Sequence, residues 1–362
     1  MKNTLFSILL AIIACSCDST IHFYPEPQSS LVILQLSVDR TPPHLYKEIN
    51  YDNDWQCTAI SLDGYDAKYD YPADYLMRIT IEIYRYYGEL GRIEMPEFDE
   101  EPVERRVLLM PSDCPPPQDT IHAYLPDGQY KALAFADYVP IDKAFDWHYK
   151  TENLTDITTD LSTYPRNPHL RSSAAGSVYF NMTHQLDEEG YPVIPNETTR
   201  SITSRVIPIN IRRASGCFKI MATDWKLCPI PEQFISLKLL YTDFVTTGYN
   251  VWTEEPSDYA TAYGYVTKPP LGSYEESTDS RLMVMDYLFA PNDREMEVHA
   301  ILVATDPLGN VINTTPTFTI PLVRDGTTIV YAPTYSVNYA DFHSDSGFGV
   351  SEDFDGEITI IL

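Results

Sequence analysis

No apolar stretch in this sequence reaches the roughly twenty residues that a membrane-spanning helix needs; the nearest approach, residues 5–14, is about half that length. Basic side chains are scarce as well. With 25 Lys and Arg against 52 Asp and Glu, the formal net charge is −27, which repels a phosphate backbone and argues against nucleic acid as a partner. The eight histidines stand singly, with no H-x-H or H-E-x-x-H to fix a metal. There is no G-x-S-x-G elbow for a nucleophilic serine and no glycine loop to cradle phosphate. The sequence therefore predicts a non-catalytic protein with no catalytic residue, no metal site and no cofactor. Carboxylates are numerous enough that some pair falls at glycosidase spacing by chance. The cluster Glu352-Asp353-Phe354-Asp355-Gly356 lacks the twelve-residue ligand spacing of a calcium loop and reads as a solvated turn.

The short apolar run follows Met1-Lys2-Asn3, the basic start of a secretory signal peptide. It ends in Ile12-Ile13-Ala14-Cys15, which resembles a bacterial lipobox. Residues 1–14 are expected to be removed and Cys15 to carry diacylglycerol, with residues 15–30 as a lipidated tether to the membrane. Cys17 is the alternative, and Ala14-Cys15-Ser16 before it fits the pattern less well. Four further cysteines, Cys57, Cys114, Cys217 and Cys228, would face an oxidising compartment after export. None has a C-x-x-C partner, which argues against redox or zinc chemistry. Of the three connectivities open to four cysteines, Cys217–Cys228 with Cys57–Cys114 is the simplest, since Cys217 and Cys228 flank an expected hairpin.

The 27 Tyr and 28 Pro favour short strands and irregular loops over long helices. Alternation of apolar and polar residues predicts strands at 31–39 and 78–85, where Ile79, Ile81 and Ile83 share one face. Further strands are expected at 107–110, 121–124 and 130–135, the last after the turn Pro126-Asp127-Gly128. Residues 137–203, rich in Asp, Asn, Thr, Ser and Pro, read as the end of a first domain and a linker. The Asn153-Leu154-Thr155 sequon there carries no meaning in a bacterial protein. A second series of strands occupies 205–211, 217–222, 234–241, 281–289, 297–304, 317–322, 328–331 and 357–362. The chain is long for one core, so the reading is all-β: an N-terminal β-sandwich domain with linker at 31–203 and a C-terminal one at 204–362, of Greek-key or sandwich type.

Three segments carry a family resemblance. Leu125-Pro126-Asp127-Gly128-Gln129-Tyr130 runs on to Ala134-Phe135-Ala136-Asp137-Tyr138-Val139, with His148-Tyr149-Lys150-Thr151-Glu152-Asn153-Leu154 after it. Pro208-Ile209-Asn210-Ile211-Arg212-Arg213-Ala214 precedes a strand. Ile320-Pro321-Leu322-Val323-Arg324-Asp325-Gly326-Thr327-Thr328-Ile329-Val330 is followed by Asp353-Phe354-Asp355-Gly356-Glu357-Ile358. In this order, and with the lipobox, the chain resembles the fimbrillin-like and fimbrial-anchor lipoproteins of Bacteroidales, accessory subunits of donor-strand fimbriae. The resemblance implies two tandem transthyretin-like β-sandwich domains, a place on the outer membrane, and a role in fimbrial anchoring, assembly or adhesion. Its partners would be other fimbrial subunits or surface ligands. The chain departs from the family where Tyr331 and Ala332 stand in place of the usual glycine.

Two segments follow from that resemblance. Arg40, after the first strand, is the position where a trypsin-like protease would release that strand in a polymerising subunit; an uncleaved strand is favoured, because cleavage would discard the lipid. The terminal strand, with Ile358, Ile360 and Leu362 on one face, is a candidate strand-exchange segment, expected to pack in its own domain with a partner beside it. An alternative function is carbohydrate binding by an outer-membrane lipoprotein, with Tyr84, Tyr86, Tyr87 and the region from Tyr249 to Trp252 as an aromatic platform.

Overall fold

The computed structural model describes residues 29–67, 69, 75–87, 98–113, 121–142, 147–162, 168–182, 205–228, 235–260, 264–267 and 280–335. The first strands are β1 (Ser30–Val38), β2 (His44–Tyr51), β3 (Cys57–Ser61), β4 (Tyr75–Tyr86), β5 (Glu104–Pro111), β6 (Ile121–Leu125), β7 (Gly128–Pro140), β8 (Tyr149–Lys150), β9 (Ile157–Thr159), β10 (Ala174–Met182) and β11 (Arg205–Arg213). They are followed by β12 (Ser215–Ala222), β13 (Ser236–Tyr241), β14 (Val245–Thr246), β15 (Gly248–Asn250), β16 (Glu255–Pro256), β17 (Tyr259–Ala260) and β18 (Gly264–Thr267). The last are β19 (Arg281–Phe289), β20 (Met296–Thr305), β21 (Val311–Thr314), β22 (Phe318–Leu322) and β23 (Gly326–Ala332). Helix is confined to two short 3-10 turns, Pro168–Arg171 and Trp225–Leu227, among the described residues. None of these is long and apolar enough to cross a membrane.

The first sandwich is one seven-stranded sheet folded on itself, in the order β5-β4-β7-β10-β11-β1-β6. Alternation places Val32, Leu34 and Leu36 of β1 on the buried face, beside Ile207, Ile209 and Ile211 of the parallel strand β11. Ile79, Ile81 and Ile83 of β4, Ala132 and Ala134 of β7 and Phe180 of β10 join the same core. A single flat sheet cannot bring these side chains together, so it must bend. The bend lies between β10 and β11, which pair only at Ala174–Arg213 and Ala175–Arg212. Gly176 permits the crossing, because a Cβ there would meet the Asn210 carbonyl oxygen at 2.1 Å.

The second sandwich packs the sheet β19-β12-β23-β2-β3 against β18-β13-β20-β21, with β22 on the other part of β20. Phe218 and Ile220, Leu237 and Leu239, Leu302, Ile320 and Val330 meet in its core. The chain is thus all-β and built of sandwiches. Strand pairing crosses residues 203–204 in both directions: β11 completes the first sandwich, while β2 and β3 extend the second through the parallel pair β2–β23.

The stretch expected as a linker is partly ordered into the fold. Within it β10 is an inner strand, paired along its whole length with β7. Its sequence begins Ala174-Ala175-Gly176-Ser177, small residues that admit the crossing strand, and this hides the apolar alternation by which strands are recognised.

Candidate binding surface

Strand β4 is buried on both faces. Met77, Ile79, Ile81 and Ile83 enter the first core, and Arg78, Thr80, Glu82 and Tyr84 lie buried on the opposite side. There Arg78 and Asp137 are cross-strand partners on β4 and β7, and the guanidinium donates to both carboxylate oxygens at 2.9 and 2.7 Å and to the Tyr149 carbonyl at 3.0 Å. Glu82 accepts from the Arg105 guanidinium, from the Tyr84 hydroxyl at 2.8 Å and from the Leu154 amide at 2.9 Å. Arg105 also donates to the Thr151 carbonyl at 2.7 Å. These bonds clamp residues 149–154 on the sheet as part of a third layer, β8-β9-β15-β16. Burial, and then the hydrogen bond to Glu82, pushes the Tyr84 phenol well up.

Where that layer ends, the outer face of β4, β7 and β10 carries an aromatic cluster. Trp252 stacks on Phe98 with centroids 4.1 Å apart and meets Tyr84 edge-on at 6.0 Å. The Lys131 ammonium lies 4.6 Å from the Trp252 ring and 4.2 Å from the Tyr179 ring, and it donates to the Trp252 carbonyl at 2.6 Å and the Tyr179 hydroxyl at 3.0 Å. Tyr86 sits 4.9 Å from Tyr179. An open groove follows, lined by Tyr86, Gln129, Tyr130, Tyr179, Phe180 and Asn181.

Of the proposed aromatic platform, Tyr84 and Tyr249 are buried, Trp252 is only 6 % exposed, and Tyr249 stacks on Phe289 at 5.0 Å. Tyr87 is exposed, with its hydroxyl bonded to Asp99 at 2.8 Å. Tyr84, Tyr86 and Trp252 do come together, while the exposed ring beside them is Tyr179, at 51 %. Tyr179 and Asn181 do not stand out in the sequence because they fall in the stretch that reads as linker, and Gln129 because it follows a turn signal at the start of β7. The alternation Val178-Tyr179-Phe180-Asn181-Met182 was the available signal.

Single residues from the segments that carried the family resemblance, Asp137, Arg213, Arg324 and Asp325, come together elsewhere, at the joint between the sandwiches, while Asp353 to Ile358 lie outside the described residues. Arg213 pairs with Asp325 and donates to the Thr41 carbonyl at 2.9 Å, and Arg324 donates to the Arg213 carbonyl at 2.6 Å and pairs with Glu254 at 3.0 Å. Asp137 and Arg213 line one small cavity of about 20 Å³. The buried pair Arg171–Asp286 crosses between the same halves, and the buried pair Lys219–Asp66 ties β12 to the loop after β3.

Cys217 is buried on β12 against Met285 and Tyr287, while Cys228 packs against the core of the second sandwich, and the structure does not bring the two together. Burial pushes the Cys217 thiol up to about 12. Cys57 is exposed on β3, and its expected partner Cys114 lies outside the described residues, as do Cys15, Cys17, Ile358, Ile360 and Leu362. Arg40 follows β1, which is held between β6 and β11, and donates to the carbonyls of Ser112 and Asp113. Among the described residues no group of three or more His, Cys, Asp or Glu could hold a metal ion.

A family model described as a family of unknown function, DUF6562, matches residues 45–362. No curated protein matches the sequence. Among solved structures, the chain is similar to the fimbrial anchor protein Mfa2 of Porphyromonas gingivalis, at 11 % identity and a TM-score of 0.36, covering 79 % of this chain and 82 % of that one. It is similar to a Bacteroides ovatus protein described as an adhesin, at 10 % identity and a TM-score of 0.37, covering 79 % and 76 %. A Bacteroides thetaiotaomicron protein described as polysaccharide binding gives 10 % identity, a TM-score of 0.37 and coverage of 79 % of each chain.

Proposed function

We propose a cell-envelope role for this chain, which belongs to the DUF6562 family: a lipid-anchored, non-catalytic protein of the outer membrane that acts in fimbrial anchoring, assembly or adhesion. The observation that carries the reading is the ordered set of three segments that resemble the fimbrial-anchor family. The meeting of Asp137, Arg213 and Arg324 at the joint supports it, because a shared joint is what sequences keeping one arrangement of two sandwiches would have in common. Arg171 with Asp286, and Arg213 with Asp325, hold that arrangement through charge pairs that cross the joint.

On this reading Cys15, or Cys17 in its place, carries the lipid, and subunits or surface ligands dock on the sandwiches. The exposed edge strand β3 offers uncharged residues and open backbone groups for such docking. Metabolic labelling with palmitate, followed by crosslinking and purification of the tagged chain from its native cells, tests both parts. Label is expected in the wild type and absent from a Cys15→Ala, Cys17→Ala double variant, with fimbrial or surface proteins captured alongside. An unlabelled wild type, or capture of no envelope protein, would overturn the proposal.

A further inference from the structure

We propose that the groove at the ends of β4, β7 and β10 binds a neutral glycan, with a sugar ring stacked on Tyr179 and Tyr86 and its hydroxyls bonded to the side-chain amides of Gln129 and Asn181. The inference rests on the adhesion reading and deepens it by naming a ligand class.

Register builds the site. Tyr86 lies opposite Gln129, and Gln129 opposite Asn181, so these three form one row across adjacent strands, on the face that Tyr84, Lys131 and Tyr179 occupy one row behind. Three strands at about 4.8 Å spacing make that row roughly 10 Å long, enough for linked sugar rings. The groove holds about 300 Å³, at the small end of ligand sites. Its rings are fixed before any ligand arrives: Lys131 and Trp252 back Tyr179, and Trp252 and Tyr179 flank Tyr86. A ring held in place loses little freedom on binding.

The polar chemistry selects the ligand. Gln129 and Asn181 are exposed, and neither side-chain amide has a partner among the described residues. Each offers a donor and an acceptor, the combination that vicinal hydroxyls complement. The cation behind the rings, Lys131, is 4 % exposed and already bonded to Trp252 and Tyr179, while Arg205 at the rim donates to the Asn181 backbone carbonyl and leaves that side-chain amide open. The net charge of −27 disfavours acidic glycans.

The test is an array of neutral and acidic oligosaccharides probed with the purified full chain, followed by calorimetric titration of hits. Saturable binding to a neutral glycan is expected, weakened at least tenfold by Tyr179→Ala and severalfold by Gln129→Ala, whose exposed side chain leaves the fold intact. Tyr179→Phe keeps the ring and should stay within about threefold, and Tyr259→Ala, an exposed tyrosine elsewhere, should change nothing. No glycan bound, only acidic glycans or peptides bound, or full binding in both Tyr179→Ala and Gln129→Ala would each overturn the inference. Surface adherence that persists without glycan binding would overturn the groove alone and leave the adhesion reading standing.

Discussion

Replacing Asp137 by alanine leaves Arg78 charged, buried and without its carboxylate. In the native chain both side chains are almost fully enclosed, and the guanidinium satisfies two of its donors on Asp137 and one contact on the Tyr149 carbonyl. Removing one partner of such a pair costs about 3–5 kcal/mol, because the remaining charge has lost its water and gained nothing in return. At about 2–4 °C per kcal/mol for a unit of this size, the melting temperature should fall by roughly 6–20 °C. The double variant Arg78→Met, Asp137→Leu removes both charges and keeps the volume. It deprives the Tyr149 carbonyl of the Arg78 donor, about 1 kcal/mol, but leaves no unpaired buried charge, so it should be more stable than Asp137→Ala alone. Thermal and urea unfolding of the three variants and the wild type check this. A single variant that loses less than about 1 kcal/mol, or a double variant worse than the single, would refute the assignment of Arg78 and Asp137 as a buried, mutually dependent pair.

Gly176→Ala should destabilise by at least about 1–3 kcal/mol in urea unfolding, since the new methyl would press on the Asn210 carbonyl where the sheet folds over; an unchanged midpoint would remove that crossing. Cys217 should resist alkylation at pH 8 in the folded protein and react once unfolded, because its thiol is buried and raised to about 12; rapid native labelling would contradict the packing. The same thiol sets a pH dependence. Its folded form keeps a proton that the unfolded form, with a value near 9, releases, so its contribution is complete below about pH 9 and falls by about 1.4 kcal/mol per pH unit from there to about pH 12. Cys217→Ala should flatten the stability profile in that window by the same slope, and an identical profile would refute it.

The strands that alternate cleanly were legible in the sequence. The runs at β1, β4 and β11 announce themselves because one face is apolar and buried, and β19 by its near-continuous apolar run. Strand β2 was not legible, since His44-Leu45-Tyr46-Lys47-Glu48-Ile49 places only Ile49 in the core and serves as a bridge between β23 and β3. β10 was hidden by its small residues. Nor does alternation reveal the second buried face of β4, where Arg78 and Glu82 look like solvent-facing residues until a third layer covers them. Non-local pairing has no local signature, which is why the exchange of β11 and β2–β3 between the sandwiches could not be read from periodicity. The aromatic site was half legible: Tyr86 and Trp252 were picked out by type, but the groove depends on their register with β10.

The most direct test of the proposed function is a deletion of the gene in its native cells, complemented with the wild-type chain or with the Cys15→Ala, Cys17→Ala variant, and scored for surface fimbriae and adherence. The account predicts that deletion reduces both, that the wild type restores them, and that the variant accumulates unanchored without restoring either. Cells whose fimbriae and adherence are unchanged by the deletion would contradict it.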